Sequence, residues 1–105
     1  MSRTINIADR LMNADKFIHV AENKTYKVDD RKNTVLQINE LLDDGAKPEI
    51  IDKVIEMTLG KDAYKEIEDM GLSWDGYQAL FIAIMAAIQN KDFEEVEKNF
   101  RSAAV

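Results

Sequence analysis

The chain has 105 residues, 46% of them hydrophobic, with no cysteine and a formal net charge of −6. That length supports one domain around a single core, and the composition is far from that of a disordered chain. The lack of cysteine excludes a disulfide framework and thiolate metal sites and suits a reducing cytoplasm.

Charge is distributed unevenly. Residues 1–48 carry eight Lys/Arg and eight Asp/Glu, whereas residues 49–105 carry six against twelve. The acidic part repels phosphate backbones, so no nucleic-acid ligand is expected. It reads as a solvated face, or as a steering surface for a basic or mixed-charge protein. No segment pairs a basic start with an apolar stretch as a signal peptide does, and no membrane partner is expected.

In chain order, Asn6-Ile7-Ala8-Asp9 offers a helix start, and a short helix to about Ala14 would place Ile7, Leu11 and Met12 on one face. Thr4-Ile5-Asn6-Ile7 also alternates as a strand does. Phe17–Val20 and Lys24–Val28 flank Ala21-Glu22-Asn23, and β-branched and aromatic residues dominate both arms, which predicts a β-hairpin over 16–29. Folding at Glu22-Asn23 pairs Phe17 with Val28 and His19 with Tyr26 on one face. Ile18, Val20, Thr25 and Lys27 then share the other face. A lone hairpin is marginal in water, so it must lean on helices or pair its edge with another chain. The edge residues Ile18, Val20, Thr25 and Lys27 are therefore candidates for self-association.

From Asp30 the period becomes helical. Val35, Ile38, Leu41 and Leu42 mark one face, and Asp43-Asp44-Gly45 stops the helix, Gly45 being able to close it in the left-handed conformation. Pro48 restarts the chain at a first helical turn, and Ile50, Ile51, Val54, Ile55 and Leu59 form an apolar stripe ending at Gly60. A third helix runs from Lys61 to Met70 and closes at Gly71. Ser73 caps the next helix, with Trp74 and Tyr77 at its mouth. From Ala79 to Ile88 that helix has no polar residue on any face, a run too short to span a bilayer and long enough for a buried core helix. Its six large side chains contribute roughly 9–18 kcal/mol if fully covered, against about 15 kcal/mol for ordering ten residues. Cover on all sides is required. Asn90-Lys91 breaks the helix, and Asp92-Phe93-Glu94-Glu95 is a capping box for a last, amphipathic helix carrying Phe93, Val96 and Phe100 at i, i+3 and i+7. The expected fold is α+β and mostly helical. A single domain over 1–105 has an N-terminal β-hairpin, then a helical part over 30–101 of four to five short helices around one central apolar helix.

Chemistry is sparse. The sole histidine, His19, falls in a strand with no visible partner for base or metal-ligand work. The acid pairs Asp29-Asp30, Asp43-Asp44, Glu68-Asp69 and Glu94-Glu95 sit at helix ends or on polar faces, where capping and dipole effects explain them. Asp43-Asp44-Gly45 lacks calcium-loop spacing, and the glycines form no phosphate-cradling motif. No catalytic, cofactor or metal residue is expected, so the reading is non-enzymatic and without cofactor. Trp74 and Tyr77 are candidate interface anchors, or else the staple that seats the apolar helix. Phe93, Val96 and Phe100 pose the same choice on a terminal helix, between core stripe and partner-binding surface.

Several segments together resemble a known family. These are Lys24-Thr25-Tyr26-Lys27-Val28-Asp29-Asp30, Leu59 through Met70, Leu72-Ser73-Trp74-Asp75-Gly76-Tyr77 and Asp92-Phe93-Glu94-Glu95-Val96. Over roughly residues 16–101 their order and spacing resemble the tail assembly chaperones of long-tailed phages and prophages, particularly of Gram-positive hosts. Glu22-Asn23 departs from the Asn-Gly turn of many relatives. The resemblance implies a chaperone of the host cytoplasm, absent from the mature virion. It would coat the tape measure protein, keep it soluble and help recruit tail tube subunits. It also implies the short product of a gene whose longer product arises by frameshift. Many weak copies along one long client would act through avidity, so a homo-oligomer is expected. The alternative is a structural minor tail or head–tail connector protein, which would persist in purified virions. An enzyme or small-ligand binder would need a deep polar pocket around His19 or the acid pairs.

Overall fold

In the computed structural model, residues 3–11 and 15–103 are described. They form α1 (Ala8–Leu11), β1 (Lys16–Ala21), β2 (Lys24–Val28), α2 (Lys32–Leu41), a 3-10 turn (Leu42–Asp44), α3 (Pro48–Leu59), α4 (Lys61–Asp69), α5 (Trp74–Gln89) and α6 (Phe93–Ala103). The architecture is the expected α+β one, a two-stranded antiparallel hairpin followed by helices.

The apolar segment organises everything else. Ile82 and Ile84 are wholly buried and Leu80, Phe81, Met85 and Ala86 nearly so, while Ala79 at the start of the run is exposed. α3, α6 and the hairpin supply the cover. From α3 come Ile51, Val54 and Ile55; from α4, Ile67; from α2, Ile38; from the hairpin, Ile18 and Val28. The end signals work locally as their chemistry requires. Ser73 Oγ accepts the Gly76 N–H at 3.1 Å and caps α5, satisfying one of the donors that a helix start leaves free. Asn90 closes α5 in the left-handed region at φ 57°, which asparagine tolerates better than most residues. Gly45 and Gly60 have positive φ but extended ψ, at 103°/167° and 94°/161°. They turn the chain sharply between helices rather than closing a helix in the left-handed conformation. α1 covers only Ala8–Leu11, with Asn6 Oδ1 accepting the Ala8 N–H at 3.0 Å. The rest of the helix expected there, including Met12, lies outside the described residues.

The hairpin register corrects the sequence expectation. Ala21 pairs with Lys24 as a two-residue turn dictates, but a bulge at Val20 then shifts every pair by one. Phe17 faces Lys27 rather than Val28, and His19 faces Thr25 rather than Tyr26. A one-residue slip exchanges the two faces of a strand. The slip gathers Ile18, Tyr26 and Val28 toward the helices and turns Phe17, His19, Thr25 and Lys27 outward. The unbulged pairing would have placed His19 in the core and Ile18 beside Lys27, so burial favours the bulge. The edge set Ile18, Val20, Thr25 and Lys27 is thus divided between two faces.

Asp29 ties the hairpin to the bundle. Its backbone N–H donates to the Thr58 carbonyl at 2.8 Å, taking up one of the free carbonyls at the end of α3. Its carboxylate accepts from Arg31 Nε at 2.9 Å, Arg31 Nη2 at 3.0 Å and Thr34 Oγ1 at 2.9 Å. The Arg31 guanidinium holds the Asp29 carboxyl at about 2, below the usual carboxylate range.

Two outcomes follow from this arrangement. Ile84→Ala removes a fully buried side chain from α5 and should cost about 2–5 kcal/mol, read from the urea midpoint. The depressed Asp29 carboxyl contributes stability that is complete above the ordinary Asp range near 4 and lost as pH falls toward 2. Wild-type stability should therefore decline between those pH values, and Asp29→Asn should remove that part of the decline, measured by denaturation across the acid range.

Candidate protein-binding grooves

α6 lies across α5, and two apolar grooves open on its two sides. The anchor is an aromatic pair, Phe81 of α5 and Phe100 of α6, with ring centroids 5.8 Å apart and planes tilted by 56°, a geometry that aromatic quadrupoles favour. Val96 is buried beside them, and Phe93 and Phe100 are half-buried against the core. The stripe Phe93, Val96 and Phe100 therefore packs α6 down while leaving part of each phenyl ring in a groove wall.

The first groove, of about 360 Å³, lies between α6, α5 and the segment following α2. Leu42, Ala46, Phe81, Met85, Val96 and Phe100 give it an apolar lining, and Gln89 and Asn99 add amides. Asp43 and Glu95, both exposed, are sequence neighbours of its lining residues, as are the exposed Lys47, Lys98 and Arg101. The second groove, of about 400 Å³, lies between β1, α5 and the start of α6. Ile18, His19 and Val20 form one wall and Leu72, Ala83 and Phe93 the other. His19 Nδ1 and Thr25 Oγ1 stand 3.1 Å apart on the outer face of the hairpin.

Trp74 and Tyr77 belong to neither groove. They meet Pro48, Glu49, Asp52 and Glu68 in a hollow of about 300 Å³ between α3, α4 and the start of α5. Trp74 is 45% exposed, while Tyr77 is half-buried against the core. Burial and then the Glu68 charge push the Tyr77 hydroxyl up. Tyr64 of α4 donates to Asp52 Oδ2 of α3 at 2.6 Å, and that carboxylate pushes its hydroxyl far above the usual phenol range. Both tyrosines stay neutral at physiological pH and serve packing and hydrogen bonding.

The five sequence-derived candidates thus fall at three places: Trp74 and Tyr77 in the hollow, Phe93 in the second groove, Val96 and Phe100 in the first. Of the edge set, Ile18 and Val20 line the second groove, whereas Thr25 and Lys27 are exposed on β2. Leu42 and Ala46 were not singled out from sequence. Their signal, a helix-ending Leu and a small residue between Gly45 and Pro48, is visible only once α6 is known to lie opposite. Among the described residues, no group of three or more His, Asp or Glu could hold a metal ion, and no helix is long and apolar enough to cross a membrane. No family model, no curated protein and no solved structure matches this chain.

The different settings of the two aromatic groups predict different stability effects. Phe100→Ala should cost about 2 kcal/mol, because it empties half a ring stacked on Phe81. Trp74→Ala should cost under about 1 kcal/mol. Thermal and urea denaturation of both variants compare the two directly.

Proposed function

We propose that this chain is a non-enzymatic tail assembly chaperone of a long-tailed phage or prophage, acting in the host cytoplasm on the tape measure protein and helping tail tube subunits gather around it. The observation that carries this reading is the first groove, an apolar slot on an acidic body. Such a slot suits an amphipathic helix that lays its apolar stripe between two walls. A long helical client repeats that stripe many times. Many copies, each bound weakly, would hold it through avidity, and the surrounding charge keeps the loaded assembly in solution. The resemblance over residues 16–101 supplies the identity of the client, and the groove supplies a physical means of holding it.

Ala46 is exposed and lines the groove, so Ala46→Trp should fill the slot without touching the core. Co-expression with fragments of the tape measure protein should yield soluble complex with wild type. Capture by Ala46→Trp should fall at least tenfold while its far-UV circular dichroism stays unchanged. Undiminished capture by that variant, or none by wild type, overturns the reading.

A further inference from the structure

Ile5 and Leu11, the two most exposed large apolar side chains among the described residues, lie with Ile7 at the N-terminal end. Ile5 is 74% exposed, Ile7 50% and Leu11 67%. The molecule reaches 61 Å along its longest axis, and its radius of gyration of 15.7 Å exceeds the about 13 Å of a compact chain of this length. Residues 3–7 have no regular secondary structure, and the four-residue α1 that follows is too short to be stable unaided. The segment therefore has the properties of an arm that needs a surface, and its own chain does not bury it.

The second groove has the matching properties. Ile18, His19 and Val20 are consecutive and point alternately to opposite faces of β1, yet all three line it. The groove therefore runs along the edge of the strand. That edge is unpaired among the described residues, where the sheet has the order β1-β2. The bulge after His19 leaves Lys16–His19 as the regular stretch of β1, four residues long. Thr4-Ile5-Asn6-Ile7 is also four residues of strand-like alternation, with Ile5 and Ile7 on one side.

We propose that Thr4–Ile7 of one copy adds as a strand to the free edge of β1 in a second copy, with Ile5 and Ile7 filling the groove between β1 and α5. Strand addition at an open edge gives affinity through main-chain hydrogen bonds and specificity through alternate side chains. An apolar cavity of about 150 Å³ already holds a benzene ring, so the 400 Å³ here accommodates two isoleucine side chains. Charge agrees with this placement. Arg3 and Arg10 bracket the arm, and Asp75 and Asp92, exposed and in no ion pair among the described residues, adjoin the lining residues Gly76 and Phe93. Donor and acceptor surfaces differ, so the contact is head-to-tail and propagates into a ring or an open filament. Its small area, well below the roughly 1,600 Å² of a standard interface, makes each contact weak and reversible. The contact uses the second groove, so it stands or falls separately from the client reading at the first.

The test is sedimentation velocity on the full chain from low to high micromolar concentration, with two variants checked by circular dichroism. Wild type should grow beyond a monomer as concentration rises. Ile5→Asp/Ile7→Asp, which has a groove but no apolar arm, should stay monomeric. Ala79→Trp, which has an arm but a blocked groove, should do the same. Mixed together, the two variants should form a dimer and nothing larger, because each supplies what the other lacks. A wild type monomeric throughout, an arm variant that associates as wild type does, or a mixture without dimer overturns the proposal. The arm variant decides by itself if Ala79→Trp misfolds, since Ile5 and Ile7 touch no core residue.

Discussion

A helix that is apolar all round can exist in water only if every one of its faces is covered, and α5 imposes that condition on this chain. No single neighbour is wide enough to meet it. α3 covers one side, the hairpin another and α6 a third, and the buried side chains of these elements converge on Phe81, Ile82 and Ile84. Covering a cylinder with separate narrow elements leaves furrows where the covers do not meet. Both grooves beside α6 have this origin: each is floored by α5 and walled by the edges of its covers. The same requirement that builds the core therefore also builds the apolar grooves.

The hairpin can serve as a cover only if it is held at the right height and with the right face inward. Asp29 fixes the height through its backbone bond to the Thr58 carbonyl. The bulge fixes the face by bringing Ile18, Tyr26 and Val28 together. Thr58 is itself buried, and its hydroxyl donates to the Val54 carbonyl at 2.8 Å, whereas the buried Tyr26 hydroxyl has no partner among the described residues. A weak two-stranded sheet thereby becomes a defined wall.

Helix existence was legible because the stop signals are local: Pro48, Gly60, Gly71, Ser73 and Asn90 each act through their own backbone preferences or side-chain bonds. The need to wrap Ala79–Ile88 was legible for the same reason, as a property of composition alone. The hairpin register was not. The turn at Glu22-Asn23 predicts the Ala21–Lys24 pair correctly, but the bulge at Val20 is decided by which face the distant helices bury, and no residue within the hairpin announces it. The candidate surface was legible in part. Phe93, Val96 and Phe100 were identified as one stripe, yet a stripe on α6 cannot reveal that its two ends serve different grooves. That division depends on how α6 crosses α5, which is set by the Phe81–Phe100 contact. The exposed arm was missed because a short amphipathic pattern reads the same whether its apolar face is covered or bare.

Charge and greasiness are complementary here rather than opposed. Apolar grooves on a neutral surface would invite indiscriminate aggregation. The acidic excess is confined to residues 49–105, which contribute most of the walls, so like charge opposes contact between the walls of two copies. The stretch 3–11 combines exposed apolar side chains with a small positive balance, Arg3 and Arg10 against Asp9. On the arm-and-groove proposal, repulsion between bodies and attraction between arm and groove would together select one contact geometry from many, giving a small surface specificity without a large buried area.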